Sequence, residues 1–367
     1  MQDQTGAPIS IVAGNVELCN CAKFSAHRSW SDLMRILRMG SRRVVASPVL
    51  RSYWHLSCER QEIYFRRLSG FAGPWTDDPV LRRYRFTNAF RAADRVSQVL
   101  IKVIYEGSRN PEEVVFRILL FRFFNKPSTW TALTAKFGEI SWASFDLEAY
   151  SNALDSLMSQ GTRIYSAAYI VPPPPFGAAR KHRNHLLLIE HMMQSGIVTE
   201  VLNSQSLKDV YEAIHSYPSL GPFLAYQLAI DLNYSDIIDF DENDFVVAGP
   251  GAKSGLAKCF LDRDGLSDED LIRLMADTQE HQFEQYGFEF RDLFGRSLKL
   301  IDCQNLFCET DKYARAAHPE TQGLGNRTRI KQQFNPAAAP EMPYFPPKWG
   351  INDAASSYVP ISGATLW

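Results

Sequence analysis

The sequence predicts an all-α or nearly all-α fold, on three observations. Apolar residues recur at spacings of three and four along most of the chain, the period of a helix that buries one face. Alternating apolar and polar runs, which mark half-buried strands, are few. Hydrophobic residues fill 45% and aromatic residues 12% of the 367 positions, ample for the packed core that such helices need.

The elements follow in order. Up to Pro48 the patterning is weak, with some helical character in WSDLMRILRMG. From Arg51 the spacing turns helical, with Tyr53, Trp54, Leu56, Ile63, Tyr64 and Leu68 at threes and fours. GFAGPWTDDPVL is a loop broken by Pro74 and Pro79, with Asp78 placed to cap the next helix. Helical patterns cover 91–106, 111–124, 145–159 and 180–195, and VPPPPFGAA before the last is a stiff exposed connection. SLKDVYEAIHSY and PFLAYQLAIDL are two helices around a short hairpin. After an acid-rich loop, GAKSGLAKCF, SDEDLIRLMADTQEHQFEQYG and LKLIDCQNLFCETDKYARAA are helical again. No repeat of fixed period occurs. The expected division is a poorly patterned extension over 1–48, a helical domain over 49–320 with its hairpin at 216–224, and a basic, proline-containing tail over 321–367 that packs on the surface.

No run of about 18 apolar residues exists, and the opening MQDQTGAPIS lacks the basic-then-apolar form of a signal peptide. A cytoplasmic protein without membrane association is expected. Six cysteines (Cys19, Cys21, Cys58, Cys259, Cys303, Cys308) fit neither a zinc spacing nor a four-cysteine cluster, so reduced thiols, no metal and no cofactor are expected. The net charge of −2 hides an asymmetry. Between Lys23 and Arg109, 17 basic residues face 7 acidic ones, whereas between Asp231 and Glu320, 9 face 20. Two solvated faces of different sign account for this, and so does a basic half that tracks nucleic-acid phosphates.

Residues 206–244 are the most informative stretch. Their centre, YPSLGPFLA, places Gly221 between two helices, where it is expected to turn the backbone tightly and let it approach a ligand. The helix starting near Pro222 would aim free N–H groups at a phosphate beyond the turn. Ser219, Gly221 and Phe223 are therefore the expected DNA-backbone contacts, although an ordinary helical hairpin has the same letters. The stretch resembles the helix-hairpin-helix motif of DNA glycosylases, which implies that superfamily's two-lobed helical fold. There the catalytic aspartate follows the second hairpin glycine by 20 residues, which lands on Asp241, with Glu242 and Asp244 in the same IIDFDEND loop. Such a carboxylate would stabilise oxocarbenium character on the sugar and activate water. Solvated acids capping the next helix would look alike. NPEEVVFRILLFRFFNKPSTW is similar to the superfamily's early helix, whose final polar residue reaches beside the extruded base, here Asn125. A core helix ending at the Lys126-Pro127 break is the plainer account. Where bifunctional members carry a Schiff-base lysine, this chain has Phe223, with no lysine between Lys208 and Lys253, which implies a monofunctional enzyme.

PWTDDPVLRRYRFTNAFRAADRVSQVLI, ENDFVVAGPGAKSGLAKCF and LIDCQNLFCETDKYARAAHP narrow the resemblance. Together they resemble the helical domain associated with 5-hydroxymethyluracil DNA kinases and alpha-glutamyl/putrescinyl-thymine pyrophosphorylases, over about residues 50–350. That branch also holds phage-defence glycosylases acting on glucosylated hydroxymethylcytosine. Asn88, Arg91, Asp94 and Arg95 have i+3 and i+4 relations and are expected on one helix face, walling a base pocket with Trp75, Gln304 and Asn305. An internal Arg–Asp network would use the same residues. AGPGAKSG lacks the GxxxxGK[ST] spacing and no other stretch supplies it, so kinase chemistry is not expected. Gly249, Gly251 and Lys253 are instead expected to form a second phosphate anchor.

The leading expectation is a monofunctional DNA N-glycosylase that flips out and excises a modified base of phage DNA, foremost glucosylated hydroxymethylcytosine, leaving an abasic site in antiviral defence. The alternative is a pyrophosphorylase-type transferase that modifies phosphorylated hydroxymethyluracil in DNA. A DNA-binding module without chemistry is the third reading. All three take double-stranded DNA as partner, with no obligate protein partner.

Overall fold

In the computed structural model, which describes residues 35–325, 327–335 and 341–358, an antiparallel hairpin of β1 (Arg35–Met39) and β2 (Arg42–Ala46) precedes the helices. The chain continues through α1 (Val49–Leu68), α2 (Pro79–Arg83), α3 (Arg95–Tyr105), α4 (Pro111–Phe124), α5 (Pro127–Phe137), α6 (Leu147–Ser159) and α7 (Lys181–Gln194). The short α8 (Ile197–Asn203) leads to the helical pair α9 (Leu207–His215) and α10 (Pro222–Asn233). Next come α11 (Pro250–Cys259), a strand β3 (Phe260–Asp262) that completes the sheet in the order β1-β2-β3, α12 (Asp268–Tyr286), α13 (Leu300–Ala317) and α14 (Asn352–Ser356). The fold is thus mostly helical, as the periodicity predicts.

Local chemistry sets the helix starts. Asp78 accepts hydrogen bonds from the N–H groups of Val80 and Leu81, as its position in the loop predicts. Asn110 caps α4 ahead of Pro111, and Ser267 forms a capping box with Asp270. Each satisfies donors that the first helical turn leaves free. Two helices occupy the centre. Residues 113–124 of α4 and 225–233 of α10 are all buried, because a helix that is apolar on every side has no face to offer water. Enclosing side chains such as Phe116, Phe121 and Tyr226 stabilises the fold by about 1.5–3 kcal/mol each relative to exposure. Any polar group on these helices needs a partner inside the protein.

Three local expectations change. WSDLMRILRMG ends in strand β1, because Leu37 and Val44 pair across the hairpin and pack on the core, a period-2 pattern too short to stand out. Residues 91–93 form a lone 3-10 turn, with Phe90 and Asp94 extended, so the helix begins at Arg95. Pro127 opens α5 at its first position, where proline's missing N–H costs nothing, so a helix follows the break in a stretch where no helical pattern is read. Beyond α13, residue 333 bridges Tyr84, and Phe345 is fully buried against Trp349. Among the described residues no helix is long and apolar enough to cross a membrane.

Candidate functional site

The hairpin between α9 and α10 differs from the expected turn in one respect. Its left-handed residue is Ser219 (φ 65°), while Gly221 is extended (φ −65°, ψ 170°) and caps α10 without a side chain. A Cβ at Gly221 would meet nothing within 4 Å, so the bare backbone there serves nothing inside the chain. A second helix opens beside it in the same way: Gly249 caps α11 ahead of Pro250, again with no side-chain cap. Phe223 lies between the two starts, and a Cβ at Gly249 would sit 2.6 Å from its ring. The structure therefore brings Ser219, Gly221, Phe223 and Gly249 together. Gly251 belongs to another contact, since its Cβ would strike Cys308 on α13, so it is a packing glycine and not part of a phosphate nest. Lys253 is exposed one turn into α11.

On its other side Phe223 stacks on Tyr169, with ring centroids 5.8 Å apart and planes 5° from parallel. Tyr169 has a left-handed backbone (φ 53°), a costly conformation for a bulky residue. Beneath it lies a buried ionic centre. The Asp231 carboxylate, fully enclosed, accepts from Arg91 Nη2 at 2.7 Å, Arg122 Nε at 2.6 Å and Arg122 Nη2 at 2.7 Å. Arg91 also donates through Nε to Gln227 Oε1 at 2.9 Å, and Arg122 lies 5.1 Å from the centre of the Tyr169 ring. Burial opposes the charge on Arg91, but the Asp231 carboxylate outweighs it and holds the guanidinium protonated. Two guanidiniums share one carboxylate, and three buried polar atoms have no partner among the described residues: Arg91 Nη1, Gln227 Nε2 and the Tyr226 hydroxyl. Two of these are N–H donors, so the centre is equipped to accept an anionic or carbonyl oxygen.

Arg91 connects this centre to a second one. Its backbone N–H donates to Asp302 Oδ1 at 2.7 Å, and Asp302 Oδ2 accepts from the Lys299 N–H at the start of α13. Burial first, then the nearby Glu242 carboxylate, push the Asp302 pKa up to about 6.

The acid loop splits its three candidates. Glu242 turns inward and pairs with Arg296 at 2.9 Å, whereas Asp241 and Asp244 are exposed. Asp241 accepts from the Asn243 N–H and from Lys299 at 3.5 Å; burial raises its pKa, but these contacts outweigh burial and hold it low. No carboxylate of the loop reaches the Arg91–Asp231–Arg122 centre by hydrogen bond.

The expected base-pocket wall does not assemble. Asn88, Arg91, Asp94 and Arg95 share no helix face, because the chain there is an extended loop and a single 3-10 turn. Asn88 accepts from Arg60 and donates to the Ala93 carbonyl, Arg95 points to solvent, and only Arg91 enters the centre. Asn125 is not free to reach into a duplex. It ends α4 in the left-handed conformation that asparagine tolerates, 2% exposed, accepting from Arg122 and donating to the Ala168 carbonyl. Trp75 packs with the satellite cluster of Leu56, Ile63, Leu81, Phe86 and Tyr313, and its indole donates to the Phe71 carbonyl. Gln304 is buried and donates to Asn305. Arg122, Gln227, Asp231, Asp302 and Tyr169 escaped the reading of the sequence. The legible signal for the first three is a polar letter inside an otherwise apolar helix, as in FRILLFRFF and YQLAIDL.

Residues 47–323 match the family model described as the helical domain of 5-hmdU DNA kinase. A protein of Bacillus phage SP10, named 5-hmdU DNA kinase, is 30% identical over 277 residues, covering 70% of this chain and 43% of the relative. The chain thus spans less than half of that relative's length. No solved structure matches. The expectation of a hydrolytic N-glycosylase, and the antiviral role attached to it, is overturned here: the relative is named for a transferase that modifies a base, not for one that removes it.

Proposed function

Because the chain belongs to the family of the 5-hmdU DNA kinase helical domain, we propose that it is a base-modifying transferase acting on phosphorylated 5-hydroxymethyldeoxyuridine in DNA, with the base retained. The modification reading is carried by one observation, the buried Arg91–Asp231–Arg122 centre with its spare donors on Arg91 and Gln227, directly under the Tyr169–Phe223 stack at the hairpin. Spare N–H donors beside two guanidiniums suit an anionic substituent better than a neutral base. The match of an anionic substituent to these donors favours the phosphorylated hydroxymethyl group as substrate rather than product. In that reaction an amine lone pair attacks the 5-methylene carbon. The carbon–oxygen bond breaks, the phosphate or pyrophosphate leaves with the bonding electrons, and the new C–N centre loses a proton. Arg91 Nη1 and Gln227 Nε2 would stabilise charge gathering on the leaving oxygens. Gly221 and Gly249, with the two bare helix starts, would hold backbone phosphates beside the extruded nucleotide, and Ser219 and Lys253 lie at their edges.

The test is nucleoside mass spectrometry after incubation with DNA carrying 5-hmdU, with and without ATP, and with its 5-phosphomethyl form, each with a panel of amines. A mass gain on a retained base is expected. Abasic sites, or unchanged nucleosides from every substrate, would refute the reading. An ATP-dependent gain of one phosphate on 5-hmdU would make the enzyme a kinase in its own right.

A further inference from the structure

The hairpin β1–β2 lies outside the family match, which begins at residue 47. The register pairs Ile36 with Val45 and Arg38 with Arg43, while Leu37 and Val44 turn to the core. Arg38 and Arg43 are therefore directly opposite each other on the outer face, both exposed. Among the described residues neither guanidinium has a hydrogen-bond or ion-pair partner. Like charges facing across an antiparallel pair repel, and an anion between them removes the repulsion. The hairpin is held firmly in place. Arg42 donates to the Asp264 carbonyl at 2.7 Å, the Arg43 backbone N–H donates to the Asp264 carboxylate at 2.9 Å, and β3 pairs along β2. Asp264 is thus engaged with the Arg43 backbone, and Asp262, which pairs with Val45 across β2–β3, accepts from the Asp264 N–H. Ile36 (51% exposed), two residues before Arg38 on β1, and Leu261 (59%) on β3 are exposed apolar side chains of the same sheet.

We propose that this face is an accessory DNA clamp: Arg38 and Arg43 straddle the phosphate backbone of duplex flanking the target base, with Ile36 and Leu261 against the groove. A twisted β-ribbon fits a DNA groove, and arginine beside exposed isoleucine or leucine is the composition that grips and wedges duplex DNA. Charge complementarity selects DNA over an apolar protein partner. The proposal rests on the DNA reading above only for the identity of the partner.

The test is fluorescence anisotropy with a short labelled duplex containing 5-hmdU, over a salt series, for the wild-type chain and the Arg38→Ala/Arg43→Ala double variant. The variant should bind roughly ten- to a hundredfold more weakly at low salt, and its slope of log affinity against log salt should be shallower by about 1.8, two phosphate contacts at about 0.9 each. Its melting temperature should equal or slightly exceed that of the wild type, since a repulsion is removed. Equal affinity and slope would overturn the clamp. So would a wild-type chain that ignores duplex DNA, or one that binds an acidic peptide through these arginines in preference to it. Base modification measured separately at saturating DNA keeps the two claims apart. Lost affinity with no modification anywhere would sink the catalytic reading and leave the clamp standing.

Discussion

Asp231→Asn tests whether the buried centre is ionic in the way the geometry shows. Asp231 is fully enclosed and receives three charge-assisted hydrogen bonds from two guanidiniums at 2.6–2.7 Å. Asparagine with its oxygen at the Oδ1 position keeps the bonds from Arg91 Nη2 and Arg122 Nη2 but turns an NH2 group toward Arg122 Nε, and it removes the negative charge that both guanidiniums share. Removing one partner of a buried pair costs about 3–5 kcal/mol, because the remaining charge stays desolvated. Here two charges are left without a counter-charge while two of the three hydrogen bonds survive, so about 4 kcal/mol, within that range, is expected. That is a large part of the roughly 5–15 kcal/mol that holds a domain folded. At about 2.1 cal/mol/K of unfolding entropy per residue, a chain of 367 residues shifts by about 1.3 °C per kcal/mol, so melting should fall by about 5 °C. Urea unfolding monitored by far-ultraviolet circular dichroism gives the free energy directly. As a control, Arg91→Met/Arg122→Met/Asp231→Leu removes all three charges together and should lose far less than Asp231→Asn. An Asp231→Asn protein within about 1 kcal/mol of wild type would refute the argument, since the carboxylate would then not be compensating the arginines.

Three further outcomes follow from the packing and the titrating groups. Gly255→Ala would drive a methyl group into the Phe307 carbonyl where α11 crosses α13, and should destabilise by about 1–3 kcal/mol in urea unfolding; a neutral result would mean the helices part easily. Gly221→Ala has open space and an ordinary φ, so its melting temperature should stay near wild type, while duplex-DNA affinity measured by anisotropy drops; unchanged affinity would remove the hairpin from the interface. Asp302, held near 6 against an ordinary 3.8, keeps its proton in the folded state after the unfolded chain has lost it. Its contribution to stability is therefore present below the ordinary value and is lost as pH rises to about 6, roughly 3 kcal/mol at about 1.4 per unit. Asp302→Asn should flatten the fall in stability across that window, and a slope identical to wild type would show that another group titrates there.

Much of the secondary structure was legible because it depends on neighbours within one helical turn. Apolar spacing marked the long helices, and Asp78 and the Gly-Pro pair at 221–222 marked starts that the structure keeps. The helical class and the family branch also lay in the letters, the latter in motifs that the family match over 47–323 contains or overlaps. The chemistry was not legible in the same way. The acid loop is singled out by its place 20 residues after Gly221, yet the fully enclosed carboxylate is Asp231, ten residues before Asp241 inside an apolar helix. Asn88, Arg91, Asp94 and Arg95 looked like one helix face because spacing alone cannot tell an α-helix from a 3-10 turn between extended residues. Strand β1 was hidden because its partner β2 and the core beneath it, not its own letters, decide its conformation. The partners of Arg91 and Arg122 on Asp231 lie 140 and 109 residues away, respectively, along the chain. A sequence carries the need of a buried charge for an opposite charge, but which distant residue meets that need is set by how the helices cross, and only the tertiary structure decides it.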